Sequence, residues 1–173
     1  MSIKISEELG VSEKTLSKAG IFNGFIDIDS RLYIDPLLLK TSKEPEMQEA
    51  HKSFKTYFEK VFLLLKHSKD LNDALGRKAI DLLTFPEIPL IGLGYSADGI
   101  QGSGIGPELA QNLTVTAKQI IDAGINEPTI FELVGLLEEG IGPDRISDMT
   151  ASIIFGHLLK YSERLAKKST LKQ

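Results

Sequence analysis

A chain of 173 residues with 42% hydrophobic and 25% charged side chains has ordinary globular composition, enough for one domain with a sizeable core. Its net charge of −4 opposes a main task of holding duplex phosphates, and the absence of cysteine excludes disulfides, thiolate metal sites and cysteine nucleophiles. The stretch from Met1 to Glu8 lacks the apolar core of a secretory signal, and the apolar runs are too short to cross a bilayer. A cytoplasmic protein without a membrane partner is expected.

Residues 1–42 read as a partly extended segment at the head of a single helix-rich domain spanning 1–173. Over residues 3–19, Ile5, Leu9, Val11 and Leu16 take the buried positions of a helix-turn-helix, with Gly10 in its turn. The acids around them, Glu7, Glu8 and Glu13, weigh against reading a DNA groove, so nucleic acid is a disfavoured partner. From Gly24 to Asp29, apolar and acidic residues alternate with strand periodicity. A turn at Ser30-Arg31 then leads to Leu32-Tyr33-Ile34, which Asp35-Pro36 stops, and the pattern predicts a small hairpin. Asp27 and Asp29 would share a solvated face of it.

From Glu44 to about Lys66 the pattern turns helical: Met47, Ala50, Phe54, Tyr57, Phe58, Val61, Phe62 and Leu65 recur at three- and four-residue steps. A second helix is predicted from about Leu71 to Leu83, ended by Pro86 and Pro89. Leu90 to Gly94 reads as a short strand or extended edge. The glycine-rich stretch from Tyr95 to Gly106 has no core-building pattern and reads as a surface loop. Three more helices follow: Pro107 to about Ala123, Pro128 to about Glu139, and Pro143 to about Lys167. Proline opens each, and Gly124 and Gly140 close the first two. The expected fold is mainly α, about five helices with a small N-terminal β-hairpin.

The most informative feature is a repeat. Gly104-Ile105-Gly106-Pro107-Glu108 returns as Gly140-Ile141-Gly142-Pro143-Asp144, each a loop turning into a helix. The glycines are expected to take positive φ, the proline sets the first helical residue, and the acid meets the positive end of the helix. If the two corners converge, Gly104, Gly106, Glu108, Gly140, Gly142, Asp144, Arg145, Ser147 and Asp148 make one polar binding site. Bare helix starts favour anions, but acids at their first turns satisfy the same N–H groups and repel phosphate. Asp144 and Asp148 are one turn apart on a helix face, and with Asp98 from the glycine loop they are the carboxylates an enzyme would use to hold Mg²⁺. The alternative is that Asp144 caps its helix and Asp148 pairs with a cation such as Arg145. His51, His67 and His157 have no metal-binding spacing.

Ile21-Phe22-Asn23-Gly24-Phe25-Ile26-Asp27-Ile28-Asp29-Ser30-Arg31-Leu32-Tyr33-Ile34-Asp35-Pro36-Leu37-Leu38 and Gly142-Pro143-Asp144-Arg145-Ile146-Ser147-Asp148-Met149-Thr150 resemble the N-terminal half of a bacterial phage-defence or restriction-type family. Longer members of that family continue into a PD-(D/E)xK nuclease domain. The resemblance spans about Ile21 to Tyr161, and the Glu-x-Lys strand of the nuclease has no copy here. It implies an accessory half, whose partner is another protein chain or a C-terminal domain outside this sequence.

Three readings result. The first is a non-catalytic regulatory or interaction domain, needing no cofactor, that binds a partner protein or anionic ligand at the paired corners. The second is a metal-dependent phosphodiesterase or nuclease using Asp98, Asp144 and Asp148 with Mg²⁺. The third is a DNA-binding module led by residues 3–19. The lack of a grouped base, nucleophile and orienting residue favours the first.

Overall fold

The structure, a computed structural model, describes residues 2–88, 91–94, 104–133 and 138–170. It is mainly helical. In chain order the helices are α1 (Ile5–Glu8), α2 (Glu13–Ala19), α3 (Pro36–Leu39), α4 (Pro45–His67), α5 (Ala74–Leu83), α6 (Pro107–Asp122) and α7 (Pro143–Thr170), with a 3₁₀ helix at Pro128–Leu133. Proline opens α3, α4, α6 and α7 as well as the 3₁₀ helix, because a first-turn residue needs no N–H partner and already has helical φ.

The apolar face of α4 forms the centre of the core. Phe54, Phe58, Val61, Phe62 and Leu65 are buried there against Ala79 and Leu83 of α5, Leu113, Ala117 and Ile121 of α6, and Met149 and Ile154 of α7. The long helices α4 and α7 run antiparallel. His157 Nε2 lies 2.9 Å from Ser53 Oγ, while Arg164 donates from Nε to Glu46 at 2.6 Å and also reaches Glu44. Rising positions on one helix therefore meet falling positions on the other. His157 is thus hydrogen-bonded between the two helices. Tyr57 donates to the Leu82 carbonyl at 2.6 Å and ties α4 to the end of α5. Before α5, Asp73 accepts from the backbone N–H groups of Gly76 (2.7 Å) and Lys69 (2.8 Å), and these bonds lower its pKa to about 2.

The predicted hairpin does not form. Phe25 of the first predicted arm bridges antiparallel to Lys4, and Ser30 of the predicted turn bridges parallel to Leu93, while no bridge joins the first arm to Leu32-Tyr33-Ile34. Among the described residues there are isolated bridges but no strand. A two-stranded ribbon on its own is marginal in water, and this segment satisfies its backbone against distant chain instead. The acids of the stretch separate accordingly: Asp27 accepts from Ile3 N–H at 2.8 Å, and Asp35 caps α3 through Leu37 N–H at 2.9 Å.

Two short helices do flank Gly10, but Leu9 is 61% exposed, not buried as a helix-turn-helix would have it. The helix expected from Pro128 to Glu139 is 3₁₀ as far as Leu133; residues 134–137 lie outside the described residues. Among the described residues no helix is long and apolar enough to cross a membrane.

Candidate functional site

The two corners open on one surface depression of about 510 Å³, lined by Gly104, Gly106, Glu108, Asn112, Glu139, Gly140 and Arg145 among others. The core brings them together. Ile105 and Ile141, the residues between the glycines of each corner, are both buried in it. Ile105 also bridges to Phe85, whose N–H donates to the Ile105 carbonyl at 2.9 Å. Positive φ is not the general reason for these glycines: of the four, only Gly140 adopts it, at 89°. Gly104 is there for close approach, since a Cβ would fall inside the van der Waals sphere of the Phe85 carbonyl oxygen. Gly106 and Gly142 have open space where a Cβ would stand.

Both corner acids sit in first helical turns, Glu108 in α6 and Asp144 in α7. Two further charges, Glu139 and Arg145, line the depression, and Arg145 donates to the Gly140 carbonyl. With two carboxylates against one guanidinium, the depression opposes a free anion. Ser147 belongs to the scaffold: it is 1% exposed, and its hydroxyl accepts from Ile34 N–H at 2.9 Å, fixing the N-terminal segment to α7.

Asp144 and Asp148 serve a different place from the corner depression. A Cβ on Gly94 would stand 2.7 Å from Asp144 Oδ1 and 3.3 Å from Asp29 Oδ2, so Asp29 and Asp144 converge on that glycine. Gly94, with φ 149°, is held by its N–H bond to the Ser30 carbonyl at 3.0 Å. Asp148 follows Asp144 by one turn. Burial first, then the charges of Asp144, Glu87 and Asp29, push its pKa up to about 6. Like charges therefore meet at the point where the chain enters the glycine-rich stretch. The stretch's far end, Gly104, abuts Phe85 to Glu87. Asp98 lies outside the described residues.

Asp29 and Glu87 are the members of this cluster that sequence spacing misses. They come from separate segments, and alternation alone assigns Asp29 to a solvated face. Among the described residues no three carboxylate or imidazole side chains are arranged to hold a metal ion.

The raised pKa has a stability consequence. The folded chain holds the Asp148 proton while the unfolded chain releases it, so stability falls as pH rises from about 4 to about 6. Asp148→Asn removes that loss. Thermal unfolding should show the variant matching the parent near pH 4 and exceeding it at pH 7 by about 1–2 kcal/mol, a figure already reduced for solvent screening of a partly exposed group. A variant less stable than the parent at pH 7 would mean that the carboxylate is held by a cation or donor.

Beside the acids runs an apolar groove of about 580 Å³, lined by Phe22, Phe25, Ile26 and Ile34 of the N-terminal segment, Ile91 and Leu93, and Phe155, Leu158 and Leu159 of α7. Phe22 is 57% exposed, Leu159 50% and Ile26 44%.

No curated protein and no solved structure matches this chain. A family model described as a domain of unknown function, DUF8370, matches residues 10–173. That match takes in the acids, both corners and every groove residue but Ile5, and the chain belongs to this family.

Proposed function

We propose that this chain is a non-catalytic interaction domain that binds another protein chain. The observation that carries the reading is the open apolar groove between the N-terminal arm and α7, with Phe22, Ile26 and Leu159 each about half exposed on it. Exposed apolar surface gathered in a groove costs solubility and marks a contact site, whereas scattered single residues do not. The corner depression, with Glu108, Glu139 and Arg145, suits the mixed-sign polar edge of such a contact. The resemblance of the segments around Ile21 and Gly142 supports a setting in a bacterial defence or restriction-type system. It also supports a partner that carries the catalytic part.

The test is site-specific photo-crosslinking in cells that express the chain from its own genome. A photoreactive residue at Leu159 should give a discrete adduct with a second polypeptide, lost on Phe22→Asp. The same residue at Lys160, one position round the helix, should give none. Free chain at both positions would overturn the reading.

A second reading, a Mg²⁺-dependent phosphodiesterase or nuclease using Asp98, Asp144 and Asp148, is favoured by the convergence of Asp144 and Asp29 on Gly94, with Asp148 one turn further along the helix. The open apolar groove ranks the interaction reading above it. Cleavage of DNA or RNA in Mg²⁺ or Mn²⁺ that disappears in the Asp144→Asn, Asp148→Asn double variant would reverse that order.

A further inference from the structure

The N-terminal arm is closed on itself. Among the described residues, the hydrogen bonds and ion pairs of residues 2–28 stay within residues 2–30. Beside the bridge between Lys4 and Phe25, Ile5 N–H donates to the Gly24 carbonyl and Ile26 N–H to the Ile3 carbonyl, each at 3.0 Å. Asn23 holds Ser6 twice, accepting from its N–H at 2.9 Å and donating to its hydroxyl at 3.0 Å. Lys4 pairs with Glu13 at 2.7 Å.

Links from the arm to the rest of the chain gather at one end. Ser30 N–H donates to the Gly92 carbonyl at 2.9 Å, and the Ser30 carbonyl accepts from Gly94 N–H at 3.0 Å. Ile34 N–H donates to the Ser147 hydroxyl at 2.9 Å. Asp29, Arg31 and Tyr33 make further interactions at this same end.

Packing follows the same division. The buried core cluster begins at Leu39, and Ile34 is the first residue that packs against it. From residue 2 to residue 33, Leu16 of α2 is the one buried apolar side chain, and α2 packs on α7. Elsewhere the arm and α7 are separated by the 580 Å³ groove, with Phe22, Phe25 and Ile26 on one side and Phe155, Leu158 and Leu159 on the other. Lifting the arm therefore breaks few hydrogen bonds and uncovers little buried apolar surface, whereas opening α4 dismantles the core. Elements with so low a cost of opening are the ones that move when a site admits what it binds.

We propose that residues 3–34 are a hinged jaw, which swings from α7 as one unit and closes over an apolar segment of the partner with α7 as the fixed wall. The hinge lies between Ser30 and Asp35, because Asp35 caps α3 and Leu39 of α3 is buried in the core. The bond from Ile34 to Ser147 is the latch. Closure brings Phe22 and Ile26 onto a segment that lies on Phe155 and Leu159. This rests on the interaction reading above and adds how the groove admits its partner.

The experiment is NMR-detected amide hydrogen exchange of the full chain, paired with the crosslinking described above. In the parent chain, the amides of Ile5, Leu16, Ile21 and Ile26 should share one opening constant, roughly a hundredfold or more above that of Val61 in α4. Ser147→Ala removes the latch and puts a strong helix former in α7. It should raise the shared constant roughly fivefold or more, the effect of one lost hydrogen bond, and leave Val61 unchanged. In cells, a photoreactive residue at Ile26 should give an adduct with the same polypeptide as one at Leu159.

Arm amides that open only together with Val61 would overturn the hinge. So would a Ser147→Ala effect confined to residues 30–34, or one that reaches Val61. An adduct at Leu159 without one at Ile26 would overturn the closure and leave the interaction reading standing. Free chain at both positions would overturn that reading and the closure with it.

Discussion

Gly104→Ala should destabilise the chain by about 2–4 kcal/mol, while Gly106→Ala, two residues on, should change stability by about 1 kcal/mol or less. The two glycines share a motif but differ in surroundings. A methyl on Gly104 would collide with the Phe85 carbonyl and crowd the Glu87 N–H at 3.0 Å, both backbone atoms that cannot rotate aside. The Ile105 bridge to Phe85 would have to open, and with it the burial of Ile105, which is fully shielded from solvent. Gly106 is the N-cap of α6 at φ −72°, with nothing near its missing side chain, so alanine loses little beyond capping preference. Urea unfolding of the two variants measures the difference. Equal effects would show that the corner is not pressed against residues 85–87.

Phe131→Ala should have a larger effect, a loss of about 3–5 kcal/mol, equivalent to roughly 10 °C in Tm for a chain of this size. Phe131 is 1% exposed, and its ring stacks on Phe58 with centroids 5.0 Å apart. Phe58 in turn meets Phe54 edge-on at 4.9 Å. Removing the last ring of this series leaves a void beside the existing 200 Å³ cleft that Phe54, Phe58 and Phe131 line with Glu127 and Pro128. The 3₁₀ helix that carries Phe131 would lose its anchor. Calorimetry at neutral pH reads the loss. A change below about 1 kcal/mol would mean that the cleft closes over the missing ring.

What the sequence reveals follows from how far apart the interacting residues are. In α4, eight apolar positions at three- and four-residue steps lie within twenty-three residues, so its face and extent are readable locally. The proline-led starts of α6 and α7 are equally local, as is the closure at Gly124. The arm from Gly24 to Ile34 fails the same treatment. Its alternation is real, but Phe25 and Ser30 find backbone partners at Lys4 and Leu93, and no neighbouring pattern names those partners. Nor does any spacing announce that Ile34 and Ser147 bond across 113 residues, the contact that fixes this arm to α7.

The candidate site divides in the same way. The repeat points to two corners, and both border one depression. Its acids do not stay together, because Glu108 remains at the depression while Asp144 turns toward Gly94 and Asp29. The groove is hidden from any single segment, since its walls come from the N-terminal segment, residues 91–93 and the last helix. The three- and four-residue steps joining Asp144, Asp148, Phe155 and Leu159 were present in the sequence, but only the fold shows that this stripe faces away from the core.

The antiparallel pairing of α4 with α7 also has a consequence during synthesis. At 5–20 residues per second, roughly 5–15 s separate completion of α4 from the appearance of its partner helix. Through that interval Phe54, Phe58, Val61 and Leu65 hang from the ribosome with their final neighbours incomplete. The nascent chain thus displays a sticky ribbon of the kind that holding chaperones grip, partly covered as α5 and α6 emerge and fully covered only when the last long helix arrives.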